Sequence, residues 1–188
     1  MKTASSYSNK QKSIRMRERM MDAGIYLFLQ HGFRGVSMAA IAEKAEVAKP
    51  TLYKYFADKE VLFQAGVVRF LVEAKARCEK EFAGPGSAGD KIAGALAVKH
   101  KMFFKLVAGS SFAEELYSET ARISAKDFTD FEVWLETQIS EILSQSGETR
   151  SVIYAQLILA CALGISKKAQ RVEEIGPAIR LVTQKILA

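Results

Sequence analysis

SMAAIAEKAEVAKPTLYKYFADKE, residues 37–60, holds two short amphipathic segments joined by a tight turn. Ser37 is placed to cap a helix over Met38 to Ala45, whose spacing turns Met38, Ile41 and Ala45 inward. After a turn of two or three residues, a further short helix carries Pro50 in its first turn, where the missing amide hydrogen does no harm, and ends at Phe56. Asp58 is placed to cap the helix that follows. Upstream, a helix is predicted from about Ile14 to Gln30, with Met20, Gly24, Leu27 and Phe28 on one stripe and Gly32 as its left-handed stop. Two short helices at a tight turn, braced by a preceding helix, have the layout of a helix-turn-helix, whose second short helix enters the DNA major groove.

The rest of the 188-residue chain continues the helical pattern. Alternating β-branched runs bounded by turns are missing, so the expected fold class is all-α, with nine helices. The later six are predicted at about 58–82, 90–107, 112–123, 126–145, 149–168 and 173–187. Residues 1–13, rich in Ser, Asn and Lys, read as a flexible basic arm, 14–57 as the helix-turn-helix domain, and 58–188 as a larger helical body.

Charge is distributed unevenly. Of 27 Lys and Arg side chains eleven lie in the first 60 residues, against six of the 21 acidic ones. A local excess of this kind suits a polyanion, either nucleic acid or an anionic membrane surface. No secretory signal is evident, and the longest apolar stretch, Val152 to Ile165, falls short of the ~20 residues a membrane span requires, so the cytoplasm is the expected compartment. Cys78 and Cys161 are far apart, and with two histidines the chain offers no metal-ligand spacing; no cofactor is expected. Gly84-Pro85-Gly86-Ser87-Ala88-Gly89 fits G-x-G-x-x-G by letter, yet follows a helix rather than a strand. Walker, H-E-x-x-H and G-x-S-x-G patterns are missing, so catalysis has no support.

Gly32-Phe33, Ser37-Met38, Ile41-Ala42, the run Val47 to Phe56, and Asp58-Lys59-Glu60 together resemble the DNA-binding segment of the TetR family of bacterial regulators, over about Arg19 to Phe63. The resemblance implies that Ser37, Thr51, Tyr53, Tyr55 and Lys59 hold phosphates and set register, while Lys49, Pro50 and Lys54 face base edges. Leu52 and Phe56 are then core. Lys49 and Lys59 stand at helix starts, where a cation costs about 0.3–1 kcal/mol unless a phosphate docks there. For Tyr53 and Tyr55, one ring is expected to point outward and one to pack inward. Two residues depart from the pattern: Glu46 stands where the family usually has glycine in the turn, which predicts a strained positive φ, and Ala48 replaces a capping serine.

In the larger body, Leu96, His100, Phe103 and Val107 share a stripe, so an ionisable ring lies among apolar side chains. His100, Phe103, Phe104, Tyr117, Phe131 and Trp134 are the candidate lining of a small-molecule effector pocket, the effector being largely apolar; plain core packing of the same aromatics is the competing use. The eighth helix is apolar on nearly every side, and the ninth presents Ile175, Ile179, Val182 and Ile186 on one face. Val152, Leu157, Leu163, Ile175, Ile179 and Val182 are the candidate homodimer interface, as the resemblance also implies.

The expected function is a cytoplasmic, nucleoid-associated dimeric repressor, bound to a palindromic double-stranded DNA operator and released by the effector, with the fourth helix as lever. The alternatives are an effector-independent DNA-binding dimer and a helical enzyme using His100 and Glu114.

Overall fold

A computed structural model describes residues 2–188, with side chains from Tyr7 onward; Met1 of the expected arm lies outside the described residues. The helices are α1 (Lys2–Gly35), α2 (Met38–Lys44), α3 (Lys49–Tyr55), α4 (Lys59–Phe82), α5 (Ala88–Val107), α6 (Ala113–Ile123), α7 (Ala125–Gln145), α8 (Ser151–Lys168) and α9 (Val172–Ile186). No strand occurs among the described residues. Where an arm was expected through residue 13, α1 is already helical from Lys2: the segment contains neither proline nor glycine, and Ser13 is tied by a hydrogen bond to Tyr55.

The chain divides into two compact units. The first comprises the chain through Arg69 together with Gly109–Ala125, and the second comprises Phe70–Ala108 with Lys126–Ala188. This differs from a boundary at 57/58, because α6 packs on α1 and so belongs with the first unit. Linear order gives no sign of that return.

The first unit is built around Phe28, Phe33 and Phe63, whose ring centroids lie 5.2–5.5 Å apart in tilted and edge-on arrangements. Met20, Met21, Ile41, Leu52, Phe56 and Leu62 complete this core, each at most 1% exposed. Gly32 makes the geometry possible. Its φ of 72° and ψ of 164° interrupt α1 in a region essentially reserved for glycine, and a Cβ there would come within 2.8 Å of the Phe112 ring and collide with the Glu115 carboxylate. The turn that follows is fastened from α6 and its approach. The Ser110 hydroxyl donates to the Leu29 carbonyl at 2.7 Å, and the Arg34 amide donates to Glu115 at 2.9 Å. The buried Glu119 receives Arg122 at 2.7 Å and Arg34 at 3.4 Å, and Arg122 extends to Glu60 at 2.7 Å.

The second unit packs α5, α8 and α9 on one another, with Ile92, Leu96, Ile158, Ala162, Ile175 and Ile179 buried. Leu135, Ile139 and Leu143 supply the buried face of α7. Ser87 and Asp90 form a reciprocal capping box at the start of α5, and Asp90 pairs with Arg180 of α9 at 2.5 Å.

Gly32→Ala is expected to destabilise the first unit by about 2–4 kcal/mol, from backbone strain plus overpacking, and to lower the Tm by on the order of 10 °C in thermal denaturation. Glu119 gives a pH test. The Arg122 hydrogen bond, supported by Arg34, holds its carboxyl below the ordinary value of 4.5. A depressed folded-state pKa means that its stabilisation is present above pH 4.5 and disappears as pH falls through the lower folded value. Glu119→Gln should therefore melt below the parent at pH 7, and the gap should close in acid. An unchanged gap at pH 3 would exclude this role.

Candidate nucleic-acid interface

The Ser37 Oγ accepts the Ala40 amide at 3.1 Å, so the cap expected of α2 is present. At its other end the Glu46 amide donates to the Glu43 carbonyl at 3.0 Å and the Val47 amide to the Ala42 carbonyl at 2.9 Å. This paired arrangement closes a Schellman turn, with Glu46 at the left-handed position. Its φ is 52°, the one positive value at a non-glycine among the described residues, as the substitution for glycine predicted. Ala48 precedes α3 without any side-chain cap, again as expected. Pro50 in the first turn, with its fixed φ, helps to compensate.

Helix α3 turns Leu52 into the core at 0% exposure, and Phe56 at its end is also buried. Its opposite side is open. Lys49, Pro50, Tyr53 and Lys54 are exposed, and Thr51 is half-buried. Among the described residues neither Lys49 nor Lys54 has a carboxylate within ion-pair distance. The two tyrosines divide as anticipated: Tyr53 projects outward at 45% exposure, whereas Tyr55 is half-buried and its hydroxyl shares a 3.0 Å hydrogen bond with Ser13 of α1. The resulting surface is a row of cations, hydroxyls and one rigid proline on an apolar base, able to pair with phosphates and base edges.

Lys59 is employed differently from the other lysines. Its Nζ donates to the Phe33 carbonyl at 2.7 Å and the Val36 carbonyl at 2.9 Å, and lies 4.4 Å from the centre of the Phe33 ring. Two of its three donors thus satisfy carbonyls at the end of α1, leaving one for an outside ligand. That inward engagement explains why a cation is tolerated at the start of α4: the nearby carbonyls compensate the positive helix end. Sequence spacing gives no hint of it. The same is true of the Glu115 and Glu119 attachments, which join residues about 80 positions apart.

The six candidate pocket residues fall in both compact units. Tyr117 belongs to the first compact unit and is 42% exposed; the other five lie in the second. There, Phe131 and Trp134 stack at 5.6 Å, Phe82 approaches Trp134 at 6.3 Å, and the Lys75 ammonium covers the indole at 4.8 Å. Phe103 meets Phe70 edge-on at 6.2 Å, and Phe104 is half-buried. His100 is 5% exposed, and its Nε2 is buried with no hydrogen-bond partner among the described residues. Burial, with Lys99 as the lesser cause, pushes this imidazole down to about 3, so it is neutral at physiological pH. An open groove of about 460 Å³ also lies in the second unit, lined by Gly89, Leu143, Gly147, Gln184 and Leu187 among others, and none of the six candidates borders it.

Two of the candidate interface residues need correction. Ile175 and Ile179 are 0% and 1% exposed because that stripe of α9 packs on α5 within the same chain, so neither is available to a second copy. An apolar stripe specifies that a helix is covered, not by what. Val182 is half-buried, while Val152 at 51%, Leu157 at 45% and Leu163 at 43% do lie on the surface. They are joined by Ile153 at 61% and, on α9, Leu181 at 59%, both missed by the sequence reading. Helix α8 meets the length and hydropathy of a membrane span, with mean hydropathy 1.2 over Ser151–Lys168 and 17% of that window buried. Cys161 on α8 is half-buried. Cys78 is fully buried, its thiol donating to the Ala95 carbonyl at 3.4 Å and raised to about 12 by burial, which makes it unreactive.

Residues 20–65 match the sequence profile of the bacterial regulatory proteins, tetR family. The chain is 43% identical over 62 residues to the HTH-type transcriptional repressor KstR of Rhodococcus jostii, covering 33% of this chain and 28% of that protein. It is 35% identical over 65 residues to the HTH-type transcriptional repressor ComR of Escherichia coli, covering 35% and 31%. The matched stretch thus spans less than a third of either relative's length. Similarity of fold extends much further. A transcriptional regulator of the TetR/AcrR family from Thermobifida fusca superposes with a TM-score of 0.72 at 20% identity, over 89% of this chain and 95% of that one. A TetR-family regulator from a Rhodococcus species gives 0.72 at 20% identity, over 93% and 100%. With the helix-turn-helix geometry above, residues 20–65 are those of a tetR-family DNA-binding segment, and the chain as a whole has the fold of the TetR/AcrR-family structures.

Proposed function

We propose that this chain is a cytoplasmic transcriptional repressor that binds a palindromic DNA operator as a homodimer and is released by a small, largely apolar effector. The carrying observation is the two-sided character of α3: Leu52 and Phe56 are fixed in the core, while Lys49, Pro50, Tyr53 and Lys54 stand exposed. In this reading Lys49, Pro50 and Lys54 meet base edges. Ser37, Thr51, Tyr53 and Tyr55 meet phosphates, and Lys59 chiefly positions the end of α1 while lending its remaining N–H. The family comprises regulators rather than enzymes. The enzyme alternative is disfavoured by the burial of His100, which is 5% exposed.

The dimer is assigned to the outer face of α8, where Ile153, Leu157, Ala160 and Gly164 recur at helical spacing. A second copy is favoured over lipid by Gln156 midway along the helix, hydrogen-bonded to Glu136 at 2.9 Å. Two-fold pairing would set the α3 helices about 34–36 Å apart, in successive major grooves. The unpartnered Nε2 of His100 supports the effector, because a neutral imidazole in apolar surroundings can exchange one hydrogen bond with a ligand. Release requires the effector to bind the DNA-incompetent conformer more tightly than the competent one. Mutual packing of Phe82, Phe131 and Trp134 favours instead an effector-independent DNA-binding dimer.

Selection of bound duplexes from a random pool tests the reading: a motif of two-fold symmetry is expected, and failure to retain any duplex at modest ionic strength would refute it. Lys49→Ala should relax preference at one position of each half-site, costing about 1–3 kcal/mol there, whereas Tyr53→Phe should weaken all duplexes by a similar small factor. Leu157→Glu should sediment as a monomer with unchanged helicity and at least ~10-fold weaker operator affinity; a persistent dimer would remove α8 from the interface.

A further inference from the structure

We propose that the amino-terminal part of α1 is a second DNA-backbone element, in which Lys10, Lys12 and Arg15 hold phosphates flanking those reached by α3. The proposal rests on the DNA-binding reading above. It starts from charge placement: all three side chains are exposed, and none has an ion-pair or hydrogen-bond partner among the described residues. The carboxylates that follow on the same helix are already engaged, Glu18 and Asp22 receiving Arg69 of α4 at 2.5 and 2.6 Å. The early turns of α1 are therefore left strongly positive.

Position supports the assignment. The 3.0 Å bond between the Ser13 and Tyr55 hydroxyls joins this stretch to the last residue of α3. One turn on, the Arg17 guanidinium lies 5.1 Å from the centre of the Phe56 ring, just past the end of α3. Lys10, Ser13 and Arg17 follow i, i+3, i+7 spacing, so Lys10 shares the face that meets the recognition helix, while Lys12 and Arg15, three apart, form a second cationic pair on the other side of the same projecting turns. Because α1 is helical from Lys2, it continues past Ser13 by about 16 Å at ~1.5 Å per residue. It thus presents cations beyond the reach of a seven-residue α3. Lysine and arginine placed this way recognise the duplex backbone without reading sequence.

The test compares the full chain with its Lys10→Gln, Lys12→Gln, Arg15→Gln triple variant, using the selected duplex at several salt concentrations. Glutamine keeps helix propensity and touches no buried side chain, and equal Tm and circular dichroism verify the fold. Expected are a roughly 10- to 100-fold loss of affinity at ~0.15 M salt, a slope of log K against log salt shallower by about 2–3, and an unchanged sequence motif. Trimming the flanking base pairs should weaken the parent by a similar factor and the variant hardly at all. Parent and variant with the same slope would overturn the proposal while leaving the proposed function intact. A parent that binds no duplex would overturn both.

Discussion

The carbonyls left open where α1 ends must be compensated before the chain can turn into α2, and the Lys59 ammonium does so, lodged between the Phe33 and Val36 oxygens and against the Phe33 ring. One cation from the first residue of α4 thus closes a loop through α1, α2 and α3. It ties the start of α4 to the end of α1, the two points between which α2 and α3 run. Phe33 can accept this contact because Gly32 takes a backbone conformation that delivers the ring to Phe28 and Phe63. Remove either and the aromatic cluster loses its edge.

A second layer comes from α6. Glu115 and Glu119 draw in the Arg34 amide and guanidinium, and Arg122 carries the chain of charges to Glu60. Exposed pairs of this sort contribute little singly, but Glu119 is buried and would be costly if deserted by its arginines. The outcome is a compact unit in which the end of α1 and the start of α4 are both tied to α6.

Much of this was legible in the residues. Seven-residue helices at 38–44 and 49–55, the Ser37 cap and the positive φ at Glu46 all follow from local chemistry, where one side chain acts on the backbone beside it. That one of Tyr53 and Tyr55 points outward and the other inward was also legible, although not which of the two. Features that join distant positions were not readable. Lys59 presents the same letter whether it faces solvent or two carbonyls, and Ile179 the same letter whether α5 or another molecule covers it. Nothing in residues 2–13 announces a helix until Ser13 is seen bonded to Tyr55. Nor does the spacing of aromatics separate a ligand cavity from rings stacked on each other.

Trp134 is the chain's only tryptophan, and it belongs to the second unit, with an ammonium over its ring and Phe131 beside it. Of the six tyrosines, Tyr7, Tyr26, Tyr53, Tyr55 and Tyr117 belong to the first unit. The molecule therefore carries its own optical labels, sorted by unit. Light absorbed by the indole alone reports on the body built from α5 and α7 to α9, while phenol signals are dominated by the part that bears the recognition helix.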